Sequence, residues 1–354
     1  MTQTLAIFLD AYRDLNSRKL FWLAVAISAL VVAIVAALGI DDTGVSVLGI
    51  HFDSKFVNSV FFPPATFYKL IFQSLGINIW LTWLAAILAL ISTASVVPEL
   101  IAGGSIDMML SKPISRTRLF LTRWVTGLFF AGIQALVFVA ASFVAIGLRG
   151  GAWEPGLFIA VPAVVVFFSY LYCFCALMGV VTRSTVASLL LTLVFWLALF
   201  GVQKGEQFLN YGRISSSMEV EATERLIASR LEKNPEADVD RLRADLAAER
   251  ISMERWNTGY WPAYSLVTLL PKTNETTEWL SRTLVEQASF RRPPGEEDEL
   301  RFFGSTRVKR KDFEAAVYDD AERRKGALWT IGTSLAFEAV MLGGCVWIFR
   351  RRDF

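Results

Sequence analysis

The sequence predicts an α-helical polytopic membrane protein. It has six transmembrane helices, an amphipathic helix at the N-terminus and a large α or α+β insert between the fifth and sixth spans. Three observations predict it. Apolar residues fill 54% of the 354 positions and charged residues only 19%, a balance far from that of a soluble domain. Several runs reach the ~18 residues needed to cross a hydrocarbon core and are almost free of charge. The charged residues gather at the ends of those runs, so their placement says more than their net sum of +2.

The elements follow in order. Residues 4–19 alternate Leu5, Ile7, Phe8, Ala11, Tyr12 and Leu15 with Asp10, Arg13, Asp14 and Arg18. Two readings stand: an amphipathic helix lying in the membrane interface, or an extended start to the first span. That span covers Leu20–Ile40, with Arg18 and Lys19 before it and Asp41 and Asp42 after it. This asymmetry places the N-terminus in the cytoplasm. The run is too long for a signal-peptide core, and no cleavage signature follows it. Residues 41–76 read as an outer loop, with turns around Gly39, Gly44 and Gly49. In it Pro63-Pro64 opens a short helix, Ala65–Leu75, that can lie on the outer leaflet. The second span, Ile77–Val97, carries Trp80 and Trp83 near its outer end.

A linker at 98–119 follows. Glu99 comes just after Pro98, Gly103 and Gly104 allow a sharp turn, and Ile106, Met108, Met109 and Leu110 form a short apolar ridge. Lys112 and Pro113 close the ridge, Ser115 is placed to cap the next helix, and Arg116, Arg118 and Arg123 are the basic signal of a cytoplasmic face. The piece is too short to be stable alone. It reads either as a short helix presented to a grooved cytoplasmic subunit or as a turn that joins two spans. The third span covers Phe120–Leu148 and the fourth Leu157–Val181, beyond Arg149-Gly150-Gly151 and Pro155. Arg183 marks a tight turn before the fifth span, Ser184–Val202.

From 203 to 326 the chain is dense in charge of both signs and reads as one extracytoplasmic domain. Met218–Arg230 and Val239–Trp256 have helical periodicity and are broken by Asn234-Pro235, with Asp238 or Asp240 as cap. Tyr264–Leu270 reads as a strand or buried turn, Thr277–Glu286 as a helix, and Leu300–Phe303 and Ala315–Val317 as strands. The last span, Ala327–Phe349, leads to Arg350-Arg351-Arg352, so residues 327–354 form a helix and a basic cytoplasmic tail. The domains expected are therefore 1–19, 20–202, 203–326 and 327–354.

Chemistry is sparse. There is no GxxxxGK[ST] loop, so the chain is not expected to hydrolyse ATP, and there is no HExxH. One histidine, His51, and three cysteines, Cys173, Cys175 and Cys345, make no metal or disulfide pattern. Ser111, Ser115 and Lys112 contain the parts of a Ser–Lys pair, but serines in a short polar linker serve first as caps. Glu338 falls near the middle of the last span, where an ionisable group is costly unless it faces protein or water. It reads either as a packing residue hydrogen-bonded to neighbours such as Thr333 or Ser334, or as a conduit or gating residue. Gln134 in the third span is a weaker candidate for that role. Gly127 and Ala131, Ala33 and Ala37, and Gly343 and Gly344 permit close helix approach.

The run Glu99, Gly103-Gly104-Ser105, then Leu110-Ser111-Lys112-Pro113-Ile114-Ser115-Arg116 resembles the signature between the second and third spans of ABC-2 type transporter permeases. It is especially similar to the permease of nitrous-oxide-reductase maturation and the gliding-motility permeases. Ser105 stands where the family has threonine, Arg123 where lysine is common, and Gly127 follows at the family's distance. The resemblance covers 1–202 and 327–350. It implies a non-catalytic permease subunit in the bacterial inner membrane with both termini cytoplasmic. Such a subunit dimerises with a second permease protomer, as homodimer or related heterodimer, and is coupled to separate cytoplasmic ABC ATPase subunits that bind ATP and Mg. No cofactor or nucleic acid is implied in this chain. Glu99, Gly103, Ser105, Ile106, Met109, Leu110, Lys112, Pro113 and Arg116 would form the coupling helix. The insert at 203–326 departs from smaller relatives and is long enough to meet an extracytoplasmic partner. It therefore keeps open an alternative, an ATPase-coupled scaffold or mechanotransmission subunit that moves no solute.

Overall fold

The computed structural model describes residues 9, 12, 13, 19–47, 50–53, 59, 63–101, 115–285, 299–300 and 308–351. The chain is a polytopic, largely helical membrane protein. Among the described residues five helices are long and apolar enough to span a bilayer: Thr66–Ile101, Arg116–Gly150, Pro155–Thr182, Thr185–Lys233 and Ala327–Arg351. A shorter apolar helix, Phe21–Ala37, falls at the lower edge of spanning length. Five long helices and one short one stand where six spans are expected. The amphipathic helix expected over 4–19 falls almost wholly outside the described residues.

The chain divides into two units. The first comprises Met1–Leu197, Thr273–Pro293 and Leu335–Phe354. Its first helix, α1 (Lys19–Ala37), runs into an antiparallel sheet, β1 (Leu38–Asp41), β2 (Gly44–Val47) and β3 (Ile50–Asp53). The expected turns at Gly39 and Gly44 are thus part of a small β-meander, and Gly49 lies outside the described residues. At its root Arg149 donates from Nε to the carbonyl of Ala36 at 2.9 Å, a cation at a helix C-terminus, where the peptide dipoles favour it.

Helix α2 (Pro64–Ile71) starts at the expected prolines but does not lie apart on a leaflet. It continues through a π-type stretch, Phe72–Ala85, into α3 (Ala86–Thr93) and α4 (Val96–Ile101). Thr82 donates its hydroxyl to the Ile77 carbonyl at 2.7 Å, five residues back, as the wider π turn requires. The outer helix and the second span are therefore one element. With Pro at its first turn and no further proline before Pro98, the helix propagates into the span, and only the turn at 94–95 divides α3 from α4.

Helix α5 (Arg116–Gly150) is capped by Ser115, whose Oγ accepts from the Arg118 amide at 3.3 Å, and ends at Gly151 with φ 69°. A 3₁₀ turn, Pro155–Ile159, leads into α6 (Ala160–Thr182), closed by Arg183 at φ 56°. Helix α6 is buried nearly all round. Phe167, Phe168, Tyr170, Leu171, Tyr172 and Cys173 are each almost inaccessible, the mark of a helix at the centre of a bundle. Small residues at its contacts make room. A Cβ on Gly127 would meet the Tyr172 hydroxyl at 2.5 Å and its ring at 2.7 Å, one on Gly132 would meet Val165 at 3.2 Å, and one on Gly179 would meet Pro98 of α4 at 3.2 Å. Helix α7 (Thr185–Lys233) turns Val186, Leu190, Val194 and Leu197 outward as one exposed apolar stripe. Helix α9 (Thr273–Val285), inside the stretch expected as one outer domain, packs in this first unit. Ser281 donates to Oδ1 of Asn78 at 3.2 Å.

The second unit comprises Ala198–Lys272 and Pro294–Ser334. The fifth span and the first insert helix are one rod, because the charged residues after Val202 are good helix formers and no Gly-Pro signal intervenes. It stops at Lys233, at the expected Asn234-Pro235 break. Val239 is the N-cap of α8 (Asp240–Leu269) and gives no side-chain cap, while Asp238 just before it accepts from the Asp240 amide at 3.0 Å. Of Tyr264–Leu270, expected as a strand or turn, Tyr264–Leu269 forms the last turns of α8 and Leu270 is its extended C-cap. Ala315–Val317, expected as a strand, lies in α10 (Arg310–Arg324). A two-stranded ladder pairs β4 (Glu299–Leu300) with β5 (Val308–Lys309); of the strand expected over 300–303 only Leu300 falls within the described residues. The last helix, α11 (Ala327–Arg351), begins in this unit and ends in the first.

Replacing Gly127 with Val should lower the stability of the detergent-solubilised protein by about 1–3 kcal/mol, since Tyr172 has nowhere to retreat. Gly201→Ala should be neutral or slightly stabilising, because no atom lies within 4 Å of its Cβ position. Thermal melts of the two variants, read for opposite signs, check this.

Candidate functional site

The expected linker site is described only at its two ends. Glu99 lies exposed on α4, beside Pro98 and Leu100, which are buried. Arg116 is half-buried in the first turn of α5. Gly103, Ser105, Ile106, Met109, Leu110, Lys112 and Pro113 lie outside the described residues.

Glu338 is buried in α11, and its partner comes from α6. Ser169 donates its hydroxyl to Oε2 of Glu338 at 2.6 Å. The same hydroxyl also approaches the Val166 carbonyl at 2.8 Å. One proton cannot serve both, so breaking the Glu338 contact leaves Ser169 a ready alternative. Thr333 and Ser334, expected as neighbours, bond elsewhere. Thr333 donates to the Trp329 carbonyl at 2.6 Å, and Ser334 donates to that of Thr330 at 2.6 Å. Hydroxyls on the same helix relax onto their own carbonyls four residues back, so a glutamate must look to another helix.

Gln134 is 5% exposed on α5, and its Nε2 has no hydrogen-bond partner. It lines a narrow crevice with Leu81, Ala85, Ala131, Val164 and Phe168. Glu338 and Gln134 are not brought together. Phe168 faces the Gln134 crevice while its neighbour Ser169 meets Glu338, and successive residues of a helix point about 100° apart. The two polar groups thus meet adjacent residues of α6 that point in different directions.

A third cluster, in the second unit, was missed by sequence reasoning. Lys325 pairs with Glu206 at 2.5 Å, with side chains 10% and 0% exposed. Asp320 accepts from Arg213 at 2.6 Å, from Arg324 at 2.9 Å and from Asn210 at 3.1 Å. Arg213 also stacks over the Tyr260 ring at 4.8 Å. Oε1 of Glu206 and the hydroxyl of Tyr260 are buried without a hydrogen-bond partner. Burial first, and then the Glu206 carboxylate, push the Tyr260 phenol well above its ordinary range. Gln203, Glu206, Asn210 and Arg213 recur at spacings of three, four and three. That polar stripe was the signal, and it signals a buried seam as much as a solvated face.

Among the described residues no three His, Cys, Asp or Glu side chains converge as a metal site. No protein-family model and no curated protein matches the chain.

The Glu206–Lys325 pair gives a sharp test. Lys325→Met should cost about 3–5 kcal/mol by stranding a buried carboxylate. Adding Glu206→Gln should recover a large part of that loss. Denaturant titration of the two single variants and the double variant reads the coupling.

Proposed function

We propose that this chain is the membrane-spanning subunit of an ABC transporter of the ABC-2 type. It works as a dimer of permease protomers and is driven by separate cytoplasmic ATPase subunits that hold the ATP and magnesium. The observation that carries the reading is the segment from Glu99 to Arg116, with its Leu-Ser-Lys-Pro-Ile-Ser-Arg run, set between two membrane helices. The polytopic helical fold supports it, as does the exposure of Glu99 beside residues that are otherwise buried.

The packing supports a route for the drive. In this reading the ATPase pushes on the 99–116 segment from the cytoplasm. Pro98 rests on Gly179, where the helix backbones come close, so displacement of α4 is felt by α6. Helix α6 is buried nearly all round, and Ser169 lies about 15 Å further along its axis at 1.5 Å per residue. The hydroxyl there holds Glu338 of the last span. A small movement of α6 then changes whether Glu338 is hydrogen-bonded or released, a two-state contact able to bias a gate.

Two measurements test this. A cysteine at 99, in the complex with its ATPase, should crosslink to that subunit, with a yield that depends on nucleotide. No crosslink in any nucleotide state would sink the coupling assignment. Glu338→Gln should lower ATP-driven turnover by about tenfold, ~1.4 kcal/mol in the barrier, while the melting temperature stays near wild type. Full turnover in that variant leaves Glu338 a packing residue.

A further inference from the structure

The charge pattern along α8 changes abruptly within one helix. From Asp240 to Arg255 it is crowded with Asp, Glu and Arg, whereas no charged residue stands between Arg255 and Lys272. The uncharged half ends in solvent-facing apolar groups. Trp261, Pro262, Ser265, Leu266 and Leu269 are all exposed, and their positions fall on one face of the helix, with Leu269 74% exposed. An apolar face of this kind on a water-bathed helical hairpin is unfavourable.

The depth of this face can be read inside the second unit. The Tyr264 ring stacks on that of Trp329, in the first turn of α11, with centroids 5.4 Å apart and planes 6° apart. Gln203, the first polar residue after the apolar run of α7, donates from Nε2 to the carbonyl of Pro271 at 2.7 Å, just beyond the end of α8. The last turns of α8 therefore lie level with the points where α7 and α11 pass between apolar and charged sequence. Leu328, on the first turn of α11, is 92% exposed at the same level.

One nearby cation, Lys272, is withdrawn from the exposed face. Lys272 is fully buried, folds Nζ back onto the carbonyls of Thr268 and Leu270 at 3.0 Å, and sits 4.5 Å over the Trp329 ring. It thereby occupies the last carbonyls of α8, which otherwise need water. Arg324 lies 5.0 Å over Trp261, as a guanidinium does at headgroup level beside an interfacial indole.

We propose that the C-terminal half of α8 is an interfacial membrane anchor. Its face of Trp261, Leu266 and Leu269, with Leu328 of α11, is seated in the headgroup–acyl boundary where α7 and α11 enter the bilayer. The occupant of the face is lipid. Burial to the ~5–10 Å typical of interfacial helices turns the charged hairpin of α7 and α8 into an arm held at both its root and its base, not one hinged on a single rod. The inference stands apart from the transport reading, since it needs neither an ATPase nor a substrate.

The test uses the full chain in liposomes, with a nitroxide on Leu269→Cys, Leu328→Cys or Ile251→Cys in turn. The native Cys173, Cys175 and Cys345 are buried and serve as an unlabelled background. Power saturation with oxygen and with a water-soluble nickel chelate reports depth. Labels at 269 and 328 should collide more with oxygen than with nickel, and the label at 251, earlier on the same helix, should show the reverse. Nickel access at 269 equal to that at 251 would place the face in water. Shielding from both reagents would place it under protein, and either result overturns the proposal. Position 328 guards against a local effect of labelling at 269, because it reads the same depth from another helix.

Discussion

Close approach of α5 to α6 is the constraint on which the first unit depends. In a bilayer there is little hydrophobic gain in pressing one apolar helix on another, so association rests on van der Waals fit and on small residues. Gly127 lies against the Tyr172 ring, Gly132 against Val165, and Gly179 takes Pro98 of α4. With α6 held in this way its neighbours can surround it. Phe120 and Trp124 of α5, Trp196 of α7, and Cys345 and Phe349 of α11 join one core around Phe167, Leu171 and Cys175. The π-type stretch and α9 complete a second core through Ile77, Leu81 and Leu280.

The same packing decides which polar groups are cheap and which are exposed to a choice. Most hydroxyls in the spans solve their problem locally. Thr93, Thr122, Thr126, Thr182 and Thr192 all donate to the carbonyl four residues back. Glu338 and Gln134 are too long or too polar for that. Glu338 finds Ser169 across the bundle, and Gln134 keeps an unpartnered amide in an apolar crevice. Unsatisfied or singly satisfied groups in a low-dielectric medium are costly, and such costs persist where a second arrangement or a ligand removes them. The second unit follows the other strategy, with carboxylates and cations meeting in a buried network around Asp320 and Glu206. Removing one partner there is expensive because the other stays buried.

The long apolar helices are legible because each announces itself by length alone. The ends of α5 are legible too, through Ser115 and Gly151, and so is the turn at Arg183. The differences elsewhere have specific causes. Loss of hydropathy after Val202 reads as the end of a helix, yet propagation depends on backbone propensity, and α7 runs on to Lys233. Tyr264–Leu270 is uncharged, aromatic and β-branched, which mimics a strand. The stacking of Tyr264 on Trp329 keeps it helical. A short apolar run such as Ala315–Val317 cannot choose between periods by itself.

Taken alone, the amino-acid sequence determined that the chain belongs in a bilayer and roughly where each apolar helix runs, since span length and interfacial charge are local quantities. It also marked Glu338 as costly by depth and the 99–116 run as unusual by composition. Only the tertiary structure decided which groups meet. Ser169, not Thr333 or Ser334, serves Glu338; Gln134 lines a crevice with Phe168, the neighbour of Ser169; Lys325 neutralises Glu206 across more than a hundred residues of chain. Helical period tells which face a residue occupies but not which helix that face will find, and that choice was made by the small residues that set how closely the helices approach.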